Sequence, residues 1–341
     1  MSTYRKGGTV AAGSRQAAGR REPAAAGALA GRCFLSVLDF NPEDLEHHLA
    51  LAATLKRDRR LGREAATSAA LQGTYIAILF EKPSLRTRST FEIAIRELGG
   101  DFIDPSADVA LGTRESLADV GRSLERWVEG AVVRTFDQAR IVDLAVATSE
   151  LRVINALSND EHPCQALADC LTLQERWGTL RGRRVAFVGD GNNVATSFAQ
   201  AATMLGITVH VATPEGCRLP AQVGADVERI AQHGAELVQF TDPVAAVRGV
   251  DAVYTDVWTS MGDKADAAGQ TERNRLFAPY QVNEKLLAHA SPDVCFLHCL
   301  PAHRGEEVTD AVIDGPASVV FDQAENRLHT GKALLVMLFE D

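Results

Sequence analysis

From about Gly31 onward, short apolar runs alternate with stretches of helical periodicity, and this alternation restricts the fold more than any other feature of the chain. TYIAILF (74–80) reads as a strand. Phe91, Ile95 and Leu98 then recur at i, i+4 and i+7, the spacing of one helix face over 85–98, and two glycines at 99 and 100 end it. DFIDPS, a helix near 115–128, a strand at 131–136, another helix and VINAL (153–157) complete the first half. In the second half RRVAFVGD (183–190), ITVHVAT (207–213), AELVQFT (235–241), DAVYTDVW (251–258) and DVCFLHCL (293–300) read as buried strands separated by helical segments. Strand–helix alternation in both halves predicts an α/β chain of two doubly wound domains with mostly parallel sheets. A length of 341 residues fits two domains of about 150 residues each. In such sheets ligands sit beyond the carboxyl ends of the strands. Polar residues at those ends therefore carry the functional reading.

Composition excludes some partners. A formal net charge of -10 disfavours a nucleic-acid surface, which needs dense Lys/Arg patches, but not a small anion held by a few local cations. No apolar run approaches the ~20 residues of a membrane span. The six cysteines are scattered without a CxxC pair, which points to a reducing compartment, the cytoplasm. Residues 1–30 are rich in Ala, Gly and Arg and poor in large apolar side chains. They read as a disordered extension, with an Arg-rich organelle transit peptide as the second reading.

Four segments concentrate chemistry at strand ends. In FEKPSLRTRSTFE, Ser84 is a good N-cap, so Leu85, Arg86 and Thr87 form a first helical turn. Its free N–H groups, the helix dipole and a guanidinium make an anion site. The bland reading is a capped helix whose arginines face solvent or pair with Glu92. In SNDEHPCQALAD, His162 precedes a Pro suited to the first helical position, and His162 and Gln165 can project together toward a carbonyl and an amide. A His capping its own loop is the simpler alternative. In DVWTSMGD, Asp256 sits in an apolar run where a carboxylate needs a partner, either a ligand ammonium or an internal cation, and Ser260 and Met261 follow it. HCLPAHRGEEVTD brings the thiol of Cys299 and then Leu300–Pro301, where a cis peptide could aim carbonyls at a ligand.

Two motifs are discounted. VGDGNNVA (188–195) resembles a dinucleotide loop, but Val194 replaces its third glycine. Cys295, His298, Cys299 and His303 suggest zinc, yet residues 295–300 read as one strand, whose side chains alternate between faces.

Taken in order, SLRTR (84–88), HPCQ (162–165), GDGNN (189–193), DVWTSMG (256–262), HCLPAHRGEEVTD (298–310) and FDQAENRLH (321–329) resemble the transcarbamoylase family, in the branch that acts on ornithine. The resemblance covers residues from about 34 to the C-terminus. It implies that Ser84, Leu85 (through its backbone N–H), Arg86, Thr87 and Arg134 hold the phosphate of carbamoyl phosphate, with His162 and Gln165 at the carbamoyl end. Asn193, Asp256, Ser260 and Met261 would bind the amino-acid part of L-ornithine. Cys299, Leu300 and Arg327 would close over the reacting centre, and Arg134, His162, Cys299 and Arg327 would be catalytic. The resemblance further implies no cofactor or metal, a final helix returning to the first domain, and a homotrimer or multiple of trimers. The expected division is 31–165 with 322–341 for carbamoyl phosphate and 166–321 for ornithine. One departure stands out. Where the family usually has Gln or His before a Leu-Gly pair, reaching into a neighbouring subunit's site, this chain has Ala110. Competing expectations are a carbamoyltransferase for another amine such as putrescine, a paralogue without turnover, and a nicotinamide-dependent dehydrogenase.

Overall fold

The computed structural model describes residues 33–105, 111, 114–259 and 267–339. The extension at 1–30, Ala110, Ser260 and Met261 lie outside the described residues.

The first sheet contains β1 (Tyr75–Phe80), β2 (Asp101–Ile103), β3 (Gly130–Arg134) and β4 (Arg152–Leu157), in the order β2-β1-β3-β4. The second contains β5 (Arg184–Val188), β6 (Thr208–Ala212), β7 (Leu237–Phe240), β8 (Ala252–Thr255) and β9 (Cys295–His298), in the order β7-β6-β5-β8-β9. Every pairing between these strands is parallel. The central strands are buried on both faces, as parallel sheets covered by helices require, which is why they read as unbroken apolar runs. The stretch expected as a buried strand at 235–241 is instead the edge strand β7, half-buried throughout, because only β6 flanks it.

The helices on the first sheet include α1 (Pro42–Asp58), α2 (Leu85–Glu97), α3 (Leu117–Leu124) and α4 (Gln138–Ala147). The helix expected over 115–128 is the shorter α3: Ser116 caps its start by accepting from Asp119 N, and it ends at Leu124 with Glu125 as C-cap. α5 (Pro163–Trp177) leads out of β4, and α6 (Asn193–Met204) leads out of β5. α7 (Ala221–Ile230), α8 (Pro243–Val247), α9 (Ala267–Phe277), α10 (Glu284–Leu287) and α11 (Asp310–Ile313) follow in the second half. The last helix, α12 (Val320–Phe339), returns to pack on α1, α2 and α5.

One apolar cluster runs from Phe34 and Leu45 through Leu167 and Leu171 to Phe187, Tyr254 and Leu334, so α5 and α12 join the two sheets through a common core. Separate clusters cover the outer faces of each sheet. In both sheets the strand order reverses direction at the centre, between β1 and β3 and between β5 and β8. Such switch points open crevices at the carboxyl ends of the strands.

Candidate active site

The two crevices form one cavity of about 660 Å³. Its walls come from the segments that follow β1, β3, β4, β5, β8 and β9, together with α12. Ser84, Leu85, Arg86, Thr87, Arg134, His162, Asn193, Asp256, Cys299, Leu300 and Arg327 all line it.

One wall is cationic. Ser84 caps α2 by accepting from Thr87 N at 3.2 Å, which leaves the turn at Leu85 and Arg86 open to the cavity. Arg86, Arg134 and Arg327 share this wall, and among the described residues none of the three is in an ion pair with a carboxylate. Arg88, by contrast, pairs with Asp104 and Glu92, so the solvent-side reading fits Arg88 and not Arg86. Burial, then the charge of Arg327, push Arg134 down to about 10, with Arg86 adding to the effect. Burial also lowers Arg86 and Arg327. A guanidinium at about 10 is still charged at neutral pH, and three crowded cations create a demand for an anion.

His162 stands at the N-cap position of α5 ahead of Pro163, but its side chain makes no cap hydrogen bond. Its backbone N–H donates to Ser197 Oγ at 3.0 Å, and its ring is 5% exposed with Nδ1 unpartnered. Burial, then Arg327 and Arg134, hold it well below the usual histidine value. It is therefore a neutral imidazole near pH 7, able to donate one hydrogen bond toward the cavity.

Gln165 sits differently from its expected place beside His162. It is 1% exposed and lies behind Arg327, whose Nη1 donates to Gln165 Oε1 while Nη2 donates to Thr87 Oγ1 at 3.0 Å. It thus orients a guanidinium and does not line the cavity. The cause is α12, which enters between α2 and α5 and takes the space.

The opposite wall is acidic. Asp256 Oδ2 accepts from Asn192 Nδ2 at 2.8 Å, and Oδ1 accepts from Cys299 Sγ at 2.9 Å, but no cation pairs with it among the described residues. Burial and then Asp256 push the Cys299 thiol well above its ordinary value, so it stays protonated and acts as a donor, not a nucleophile. Asn193 Nδ2 donates to Ser158 O at 2.6 Å, tying the start of α6 to the segment after β4. Leu300 has a positive φ of 57°, and the Leu300–Pro301 bond is cis.

The glycine-rich loop resolves as packing. A Cβ on Gly191 would lie 2.6 Å from Cys217 O, so the glycine permits a close backbone approach inside this domain. Asn192 caps α6 by accepting from Val194 N and Ala195 N. The expected strand over 295–300 ends at His298, so His298 and Cys299 do not alternate between faces. Their ligand atoms and those of Asp256 lie within 4.8 Å of one another, while Cys295 faces Asp251 O and Cys299 bonds Asp256. His298 has both nitrogens engaged, by Glu307 Oε1 at 3.0 Å and Leu300 N at 2.9 Å.

The cavity also contains Lys82, Asn159, Asp190 and His303, to which the motif reading gave no substrate role. Lys82 Nζ donates to Asn159 Oδ1 at 3.0 Å and lies over the Phe136 ring. Position was the available signal, since Lys82 and Asn159 follow β1 and β4 directly.

Comparison with known proteins gives one consistent result. Residues 32–175 match the family model described as "Aspartate/ornithine carbamoyltransferase, carbamoyl-P binding domain", and residues 181–338 match its "Asp/Orn binding domain". The ornithine carbamoyltransferase of Thermococcus kodakarensis is 48% identical over 312 residues, 91% of this chain and 97% of that protein. The anabolic ornithine carbamoyltransferase of Pyrococcus furiosus is 46% identical, again over 91% of this chain and 97% of its own length. The solved structure of the Pyrococcus furiosus enzyme superposes with a TM-score of 0.86, covering 91% of this chain and 98% of that one. That of a mitochondrial ornithine carbamoyltransferase from Coccidioides immitis gives 0.83 at 33% identity, over 91% and 98%.

Proposed function

We infer from the family to which this chain belongs, the aspartate/ornithine carbamoyltransferases, how its cavity performs the reaction. The chain is a transferase that moves the carbamoyl group of carbamoyl phosphate to the δ-amine of L-ornithine, giving L-citrulline and phosphate.

The observation that carries the site assignment is the pairing of two unsatisfied demands across one cavity. Three arginines without carboxylate partners face a buried Asp256 without a cationic partner among the described residues. An anion on one side and an ammonium on the other satisfy both. Ser84, Leu85 N–H, Arg86, Thr87 and Arg134 take the phosphate. His162 and Arg327 address the carbamoyl oxygen, and Gln165 holds Arg327 in place. Asp256 takes the α-amino group of ornithine, Asn193, Ser260 and Met261 are assigned to the rest of the amino-acid part, and Cys299 and Leu300 close over the reacting centre.

The δ-amine attacks the carbamoyl carbon, charge builds on the carbamoyl oxygen, and phosphate leaves. Preorganised donors such as Arg134, Thr87 and His162 stabilise that charge, typically by ~10²–10³ in rate each. No acyl-enzyme forms, which agrees with a protonated Cys299 thiol. The amine must be neutral to attack. With a lysine-like pKa of ~10.4, about 0.1% is neutral near pH 7.5, a cost of roughly 4 kcal/mol that desolvation in a closed cavity reduces.

The division into 31–165 with 322–341 and 166–321 assigns carbamoyl phosphate to the first unit and ornithine to the second. Assembly as a trimer, or a multiple of trimers, in the cytoplasm completes the reading. Ala110 would then weaken the grip on carbamoyl phosphate, and Ala110→Gln should lower the KM for carbamoyl phosphate alone.

Amine choice tests the assignment. Putrescine has no α-amino group for Asp256 to hold, so ornithine should exceed it in kcat/KM by about 10²-fold or more. Equal use of the two amines would remove Asp256 from the ornithine site.

A further inference from the structure

Asp169 lies on α5 one turn beyond Gln165 and is 0% exposed. Its Oδ1 accepts two hydrogen bonds, from Gln165 Nε2 and from Gln323 Nε2, each at 2.7 Å. An ionised carboxylate only accepts, so each glutamine presents its NH₂ to Asp169 and turns its carbonyl oxygen the other way. The Gln165 oxygen receives Arg327, which reaches on to Thr87 on the phosphate wall. The Gln323 oxygen receives His298 N at 3.0 Å, where β9 ends and the Cys299–Leu300 segment begins. One buried carboxylate therefore anchors two arms, one ending at each wall of the cavity.

We propose that Asp169 is a positioning residue that sets both half-sites together, by fixing the amide orientations of Gln165 and Gln323 and by countering the buried charge of Arg327. The two glutamine bonds both fall on Oδ1, while Oδ2 and the nearby Tyr254 hydroxyl make no hydrogen bond among the described residues, so the geometry of the arms rests on that one oxygen. Burial raises the Asp169 carboxyl to about 6, against the pull of the two glutamines, Tyr254 and Arg327. The other titratable groups coupled to it are the Tyr254 phenol on β8, the Cys170 thiol on α5 and the Cys299 thiol after β9. All three are pushed well up and stay neutral, so the charge nearest in effect to it is Arg327, which Gln165 separates from Asp169 and which makes no ion pair with it.

The proposal rests on the carbamoyl-transfer reading, so turnover and ligand affinity are measured separately in the full chain. Wild-type citrulline formation tests that reading. Affinity for inorganic phosphate tests the phosphate arm without turnover. Asp169→Asn keeps an acceptor oxygen but loses the charge. It should weaken phosphate binding and raise the KM for carbamoyl phosphate about tenfold at pH 7.5. The ratio of wild type to variant should fall toward one by about pH 5, where the wild-type carboxyl is itself protonated. Gln323→Leu cuts only the second arm, so the KM for ornithine should rise about tenfold while phosphate affinity stays within about twofold. Asp169→Leu should weaken both. A wild-type-to-Asn ratio that does not change with pH overturns the hub, as does a Gln323→Leu chain in which phosphate and ornithine weaken alike. If Asp169→Leu does not fold, the other two variants decide.

Discussion

Asp256 is a carboxylate inside the apolar run DAVYTDVW, where burial makes a partner necessary. Among the described residues it receives only the Asn192 amide and the Cys299 thiol, both neutral donors, so its charge is left for a ligand to answer. Asp256→Asn should weaken ornithine by about 2–5 kcal/mol, because it breaks a desolvated charge pair, and should nearly spare carbamoyl phosphate. Equal weakening of both substrates, measured by steady-state kinetics, would make Asp256 structural. The need for a partner at Asp256 was legible in its apolar flanks alone. Ser84, Arg86 and Thr87 were equally legible, since an N-cap after a strand fixes where the next side chains point. Gln165 was not. Its partner Arg327 lies 162 positions away, and nothing within HPCQ signals that α12 will return to that spot. Lys82 and Asn159 lie inside the FEKPSLRTRSTFE and SNDEHPCQALAD segments, but the reading of those segments rested on their helix starts and gave neither residue a role.

At the scale of elements, the start of α5 joins the halves. Glu161 Oε1 accepts from Ser36 Oγ at 2.6 Å, and Oε2 accepts from Ser197 Oγ at 3.0 Å on α6. Burial raises its carboxyl from the ordinary 4.5 to about 7, despite these bonds and that of Val37 N. The folded chain then holds a proton that the unfolded chain has lost between pH 4.5 and about 7. Stability therefore falls as pH rises across that window, by up to about 3 kcal/mol. Glu161→Gln should remove this slope, so its melting temperature should gain on the wild type between about pH 5 and 8. Parallel curves over that range would show that Glu161 does not titrate there. Strands and helices were read from periodicity within a few residues. The misreading of β7 as buried arose because an apolar run does not say whether a strand has one neighbour or two.

At the scale of the whole molecule, strand–helix alternation implied two parallel sheets, but not that α5 and α12 would fuse their cores. That depends on packing between segments about 150 positions apart, as the bonds from Gln323 to Asp169 and from Asn326 to Thr172 show, each spanning 154 positions. If the trimer holds, three copies of a 36.6 kDa chain should sediment at about 110 kDa, and a 36.6 kDa species at working concentration would contradict it. Attack by a neutral amine predicts that kcat/KM for ornithine climbs on the alkaline side of neutrality before levelling. A profile flat from about pH 6.5 to 9 would rule that out. The most direct test of the whole account is citrulline formation by the wild type and by Arg134→Ala, assayed side by side from carbamoyl phosphate and ornithine. The wild type should release citrulline and phosphate in equal amounts, and the folded Arg134→Ala chain should turn over about 10²-fold more slowly or worse. Near-normal turnover without Arg134, or no citrulline from the wild type, would contradict it.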